Sequence, residues 1–137
     1  EALVEVQGWR PGGTCKLRRA EAMLRMESDG GDPMIVLPAA PAAEGALSLR
    51  LRMRSTSSGI GQVRWTDTPR PQFGPIACVN YQPEHDGEWH EYEVKFTSQG
   101  RITQLRIDPS TSPGTIEFQW IRLCKEDGTV VQAWEFR

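Results

Sequence analysis

The chain has 137 residues, 38% hydrophobic and 25% charged, and its 16 basic and 18 acidic residues leave a net charge of −2. That size suits one domain with a single sizeable core, and the composition excludes a disordered chain. No apolar run approaches the roughly 20 residues of a membrane helix, so membrane insertion is not expected. The well-mixed charge argues against nucleic-acid binding, which needs a basic face.

Short runs of period-two alternation, punctuated by Gly, Pro, Asp and Ser, dominate the pattern. The chain opens in such a run at Glu1 with no start methionine, which leads us to expect part of a larger protein. Residues 2–7, 14–27 and 33–37 read as strands or strand pairs. Between them, Trp9 sits among Gly8 and Arg10-Pro11-Gly12-Gly13 in a predicted loop. Glu21–Met26 has the propensity for a helical turn, but the intervals are short, and Ser28–Pro33 resembles a connection between strands.

After the loop-like stretch 38–46 comes the clearest strand, 47–54. Leu47, Leu49, Leu51 and Met53 share one face, while Ser48, Arg50, Arg52 and Arg54 share the other. A helix would smear both sets around its circumference. Strands follow at 60–67, 76–82 and 90–96, the last with Tyr92, Val94 and Phe96 inward. The Asp86-Gly87 and Asp127-Gly128 pairs carry the dipeptide that favours tight hairpins. Further strands are predicted at 102–108, 115–124 and 129–135. In the middle one of these, Ile116 and Phe118 have one parity, and Ile121 and Leu123 the other. A bulge near Gln119-Trp120 reconciles them. Nine or ten strands without helical crossovers make an all-β antiparallel sandwich or jelly roll, one domain over residues 1–137.

The residues that carry chemistry are few. His85 and His90 lack a third ligand, and Cys15, Cys78 and Cys124 form no zinc spacing. Three half-buried or buried thiols are preferred to one disulfide with a free cysteine. No nucleophile elbow or phosphate loop is present, so no catalytic residue is assigned and no enzyme is expected.

For a binding module the outward side chains matter instead. Gln62 and Arg64 on one strand and Asn80 and Gln82 on another form a polar patch if those strands are neighbours; an ordinary solvated face is the alternative. Planar amides and guanidinium groups suit sugar hydroxyls, carboxylates or sulfates. The Arg50, Arg52 and Arg54 ladder either meets an anionic polysaccharide or pairs with Glu91, Glu93 or Glu117; pairing is the preferred reading. Among the tryptophans, Trp65 is expected in the core and Trp89 and Trp120 at the sandwich edge. Trp9 is the leading candidate for stacking on a sugar ring.

Four segments occur together in order: Gln62–Asp67, Asp86–Val94, Ile102–Pro109 and Gly114–Leu123. With them the chain resembles jelly-roll domains similar to carbohydrate-binding modules and the galactose-binding-like fold. Such domains are appended to bacterial sulfatases, glycoside hydrolases and polysaccharide lyases. The resemblance implies a non-catalytic accessory domain of a larger extracytoplasmic enzyme, with carbohydrate or the neighbouring catalytic domain as partner. A structural or protein-docking domain without a glycan site is the alternative. Neither Cys15 nor Cys78 is followed by the x-Pro-x-Arg of a sulfatase nucleophile. Relatives with a structural calcium often ligate it with carboxylates of the first and last strands. Here Glu1, Glu5 and Glu117 remain, but Gln119 stands where relatives usually have Asp, which weakens that expectation. No other cofactor is expected.

Overall fold

The computed structural model describes residues 2–137, and among these described residues there are nine strands and no helix. They are β1 (Arg10–Ala20), β2 (Met23–Leu37), β3 (Gly45–Ser55), β4 (Gly61–Asp67), β5 (Cys78–Tyr81), β6 (His90–Ser98), β7 (Ile102–Asp108), β8 (Gly114–Lys125) and β9 (Val130–Glu135). All pairings are antiparallel, in the order β5-β4-β7-β2-β8-β3-β6, with β1 beside β2 and β9 beside β8. The sheet turns over along β2, so its two halves lie face to face. Trp65 of β4 meets Phe96 of β6 at 4.6 Å between ring centroids, and Tyr81 of β5 meets Tyr92 of β6 at 5.6 Å. This is the jelly-roll sandwich that the alternation predicts.

Alternation places the core as expected along β3, where Leu47, Leu49, Leu51 and Met53 are all buried. The bulge in β8 is also present. Arg52 pairs with Trp120 and Met53 with Phe118, leaving Gln119 as the extra residue, and Ile116, Phe118, Ile121 and Leu123 are all fully buried. The three cysteines are free thiols, and burial pushes the Cys15 thiol up from its ordinary value.

Three local expectations change, while the strand pair read over 14–27 is kept. The segment 2–7 makes only isolated bridges, Leu3 to Leu17 and Val6 to Trp9, rather than a strand. Ser28–Pro33 is no connection but the middle of β2. There the strand leaves β8, which it pairs through Leu24–Ser28, and reaches β7, which it pairs through Ile35–Leu37. Glu21 and Ala22 form the turn of the β1–β2 hairpin, with Ala22 at φ 58°. Asp86-Gly87 lies in the crossover from β5 to β6, which pair with different neighbours, so it closes no hairpin.

The bend in β2 depends on its partner β1, whose register shifts between Gly13 and Cys15. Gly13 has φ 62°, a left-handed geometry that other residues adopt only with strain. A Cβ there would stand 1.9 Å from the Asp32 carbonyl oxygen. Gly13→Ala is expected to lower unfolding free energy by about 2 kcal/mol. Urea titration followed by tryptophan fluorescence checks this, with a lower midpoint at unchanged slope expected.

Candidate functional site

Two outward surfaces carry the polar side chains of interest. The first is the outer face of β5, β4 and β7. Register places Gln62 between Asn80 on one side and Asp108 on the other, and Arg64 between Cys78 and Arg106. Two cross-strand rows of planar hydrogen-bonding groups result. Arg64 Nη2 donates to Gln62 Oε1 at 3.1 Å, and Gln62 Nε2 donates to Asn80 Oδ1 at 3.0 Å. The rows form because these residues alternate with buried Val63, Trp65, Leu105 and Ile107.

Arg106 and Asp108 lock together by two bonds of 2.8 Å, Nε to Oδ1 and Nη2 to Oδ2. That bonding pushes the Arg106 guanidinium further up from its ordinary value. Phe73 lies over Arg106, with the guanidinium carbon 5.5 Å from the ring centroid. Its loop, residues 68–77, is anchored by fully buried Asp67. The Asp67 carboxylate accepts from Arg70 Nη2, the Arg70 N–H and the Gln99 N–H, each at 3.0 Å. The Arg70 guanidinium, foremost, holds this carboxyl below its ordinary range.

Of the four patch residues predicted, Gln62, Arg64 and Asn80 come together as neighbours. Gln82 does not join their network, because it lies past the end of β5 and its amide donates to the Pro83 carbonyl. Arg106, Asp108 and Phe73 belong to the same surface and were missed. The outward parity of Arg106 and Asp108 was legible in the 102–108 run, but nothing local says that this strand adjoins β4.

Trp9 requires a correction. Gln7 (φ 51°) and Gly8 (φ 91°) form a tight reversal in which Val6 and Trp9 exchange N–H to O bonds of 2.9 Å in both directions. The reversal turns Trp9 into the core, where it is fully buried and meets Trp134 edge-on at 5.4 Å. No face of its ring is open to a sugar. Trp65 and Trp134 are buried as well, so the half-exposed indoles are Trp89 and Trp120.

Both belong to the second surface, the outer face of β6, β3 and β8, which carries the arginine ladder. Arg50 pairs with Glu93 at 2.9 Å, Arg52 with Glu91 at 3.0 Å and Arg54 with Glu117 at 2.6 Å. Arg52 Nε also donates to the bulged Gln119 at 2.6 Å. The ladder is therefore matched by carboxylates on the neighbouring strands. Arg54 lies over the Trp89 ring at 4.7 Å, and Arg122 over Trp120 at 3.8 Å.

Two candidate calcium ligands are engaged otherwise. Glu117 accepts from Arg25 Nε at 2.7 Å as well as from Arg54, and Glu5 accepts from the Gly8 N–H. Glu1 lies outside the described residues. Among those residues, the cluster tight enough to hold a metal is Glu84, Asp86 and His90. In it, His90 Nδ1 faces Glu84 at 3.1 Å and Nε2 faces Asp86 at 3.0 Å. The two ring nitrogens thus address different carboxylates, an arrangement that clamps the loop before β6. His85 is likewise held, between Ser55 Oγ at 2.7 Å and the Gly59 carbonyl at 2.8 Å.

No protein-family model matches the chain, and no curated sequence does. Solved structures match it well. A variant of a family 29 carbohydrate-binding module superposes with a TM-score of 0.61 at 14% identity, covering 86% of this chain and 82% of that one. Another variant of such a module, in complex with mannohexaose, superposes with a TM-score of 0.58 at 14% identity over 82% and 77% of the two chains. The chain has the fold of a carbohydrate-binding module. An arabinose-bound α-L-arabinofuranosidase also matches, with a TM-score of 0.60 and 14% identity, over 85% of this chain but 23% of the enzyme.

Glu117 links this surface to stability. Burial raises its pKa, but the guanidiniums of Arg54 and Arg25 outweigh that and hold it below the ordinary 4.5. Between the lowered folded value and 4.5 the unfolded chain binds more protons, so stability falls as pH drops through that window. In urea titrations from pH 7 to pH 3, Glu117→Gln should cost about 1–3 kcal/mol at pH 7 and show a shallower acid-side loss than the native chain.

Proposed function

We propose that the protein is a non-catalytic carbohydrate-binding module that holds a glycan on the outer face of β5, β4 and β7. The observation that carries this reading is the double row Asn80–Gln62–Asp108 and Arg64–Arg106, with Phe73 at its edge. Amide and guanidinium groups held rigid by one another present fixed donors and acceptors. Sugar hydroxyls, which both donate and accept, bond to such groups without needing a net charge. An aromatic side chain beside them supplies the apolar contact that a sugar ring's face accepts.

The matched fold supports the class of ligand, and the arabinofuranosidase match supports the context. The match covers 23% of that enzyme, the share expected if this chain is one accessory domain of a larger enzyme. We place this module in an extracytoplasmic enzyme of that kind, without a cofactor. The docking alternative has less behind it. The exposed large apolar side chains Val4, Ile60, Ile76 and Val130 come from four separate segments.

Affinity electrophoresis through gels containing mannan, xylan, arabinan or chondroitin sulfate tests the reading. Retardation by at least one neutral polysaccharide is expected. Gln62→Ala and Arg106→Ala should each weaken it about tenfold, the loss of one or two hydrogen bonds to the ligand. Gln62→Ala serves as the cleaner variant, because Arg106→Ala leaves the buried Asp108 carboxylate unpaired. Free migration through every gel would sink the proposal.

A further inference from the structure

Four shallow depressions follow one another along β3 on the opposite face of the sandwich. The first is lined by Ala46, Ser48, Glu93 and Lys95, the second by Arg50, Glu91, Glu93 and Trp120. The third is lined by Arg52, Glu91, Gln119 and Trp120, and the fourth by Arg54, Thr56, Thr115 and Glu117. The first two share Glu93, and the second and third share Glu91 and Trp120. Trp89 bridges the third to the fourth, since both Arg52 and Arg54 lie over its ring. The resulting track runs the length of β3, roughly 30 Å at about 3.3 Å per residue.

We infer that this track is a second glycan site, which takes one linear, uncharged polysaccharide chain lying along β3. The inference rests on the carbohydrate reading above but uses a different face and different residues. Each depression measures about 210 to 350 Å³. That lies at or below the low end of an enclosed small-molecule pocket, roughly 300–1,000 Å³, so a polymer spanning all four is the better fit.

The chemistry of the lining selects the chain's charge. Arg50, Arg52 and Arg54 are already matched by Glu93, Glu91 and Glu117, and an anionic polymer would have to break those pairs and face their carboxylates. Hydroxyls instead accept from the guanidinium edges and donate to the carboxylates without displacing either. Trp120 and Trp89 are half-exposed indoles at the middle of the track, each backed by an arginine that fixes its plane. At one end, the Ser48 hydroxyl is buried, lines the first depression and has no hydrogen-bond partner among the described residues.

Titration of the 15N-labelled protein with mannohexaose, xylohexaose, cellohexaose and a chondroitin sulfate hexasaccharide tests the inference. Indole N–H signals of Trp89 and Trp120, with amides of residues 48–54 and 91–95, should shift with at least one neutral hexaose. The buried indoles of Trp9, Trp65 and Trp134 serve as fixed references. Trp120→Ala should weaken binding at this face about tenfold while shifts around Gln62 and Arg106 persist. Gln119→Ala, which keeps both indoles, should weaken it less. If shifts stay confined to the Gln62 face for every hexaose, the second track falls and the proposed function stands. If no hexaose moves any signal, the second track falls, and the gels decide the proposed function separately. If only the sulfated hexasaccharide moves the β3 face, the uncharged class is wrong.

Discussion

One strand serves both layers of this protein, and that constraint organises the rest. β2 keeps β1 as a partner on both sides of its bend, through Met23–Ser28 and Pro33–Val36, while its other edge passes from β8 to β7. A strand of fifteen residues that must pair in two sheets cannot remain flat. Where the four residues Asp29–Asp32 of β2 stand against the single Thr14 of β1, Gly13 holds a conformation that strains any other side chain. The two outward surfaces stand back to back because β2 makes this turn, with β4 and β7 on one side and β3 and β8 on the other.

The two surfaces differ in how they satisfy their polar groups. On the β4–β7 face, neutral amides relay hydrogen bonds from Arg64 to Asn80, and one tight ion pair, Arg106–Asp108, fixes the edge. On the β3 face, three arginines in alternation are answered by three glutamates from two neighbouring strands. Exposed pairs of this sort add little to stability individually. Their larger effect is on the character of the surface, which is rich in donors and acceptors yet close to neutral. Glu117 is the exception in burial, and its two arginine partners offset the desolvation of its carboxylate.

Much of the architecture was legible because side-chain parity in a strand is a local property. The β3 alternation, the inward Val94 and Phe96, and the Gln119 bulge follow from the requirement that apolar residues share one face. Parity failed where a strand changes layers. Ser28–Pro33 has the composition of a turn, yet it runs on as strand although its regular pairing with β1 breaks over Asp29–Asp32. Trp9 misled for a related reason. Glycine and proline around it suggest a loop, but Arg10–Gly13 belong to β1, and the tight reversal at Gln7-Gly8 drives the indole inward against Trp134.

What the residues determined by themselves is the all-β character, the faces of each strand, and the kinds of polar group turned outward. Those follow from two-residue periodicity and turn chemistry, which act over a few positions. Which strands become neighbours was decided only by tertiary structure, through the burial that closes one layer over the other. That choice brought Arg106 and Asp108 beside Gln62 and gave the arginine ladder its glutamates. It also left Trp89 and Trp120, rather than Trp9, at the surface. A side chain's face is written in its own segment, but what stands next to it depends on contacts between segments far apart in the chain.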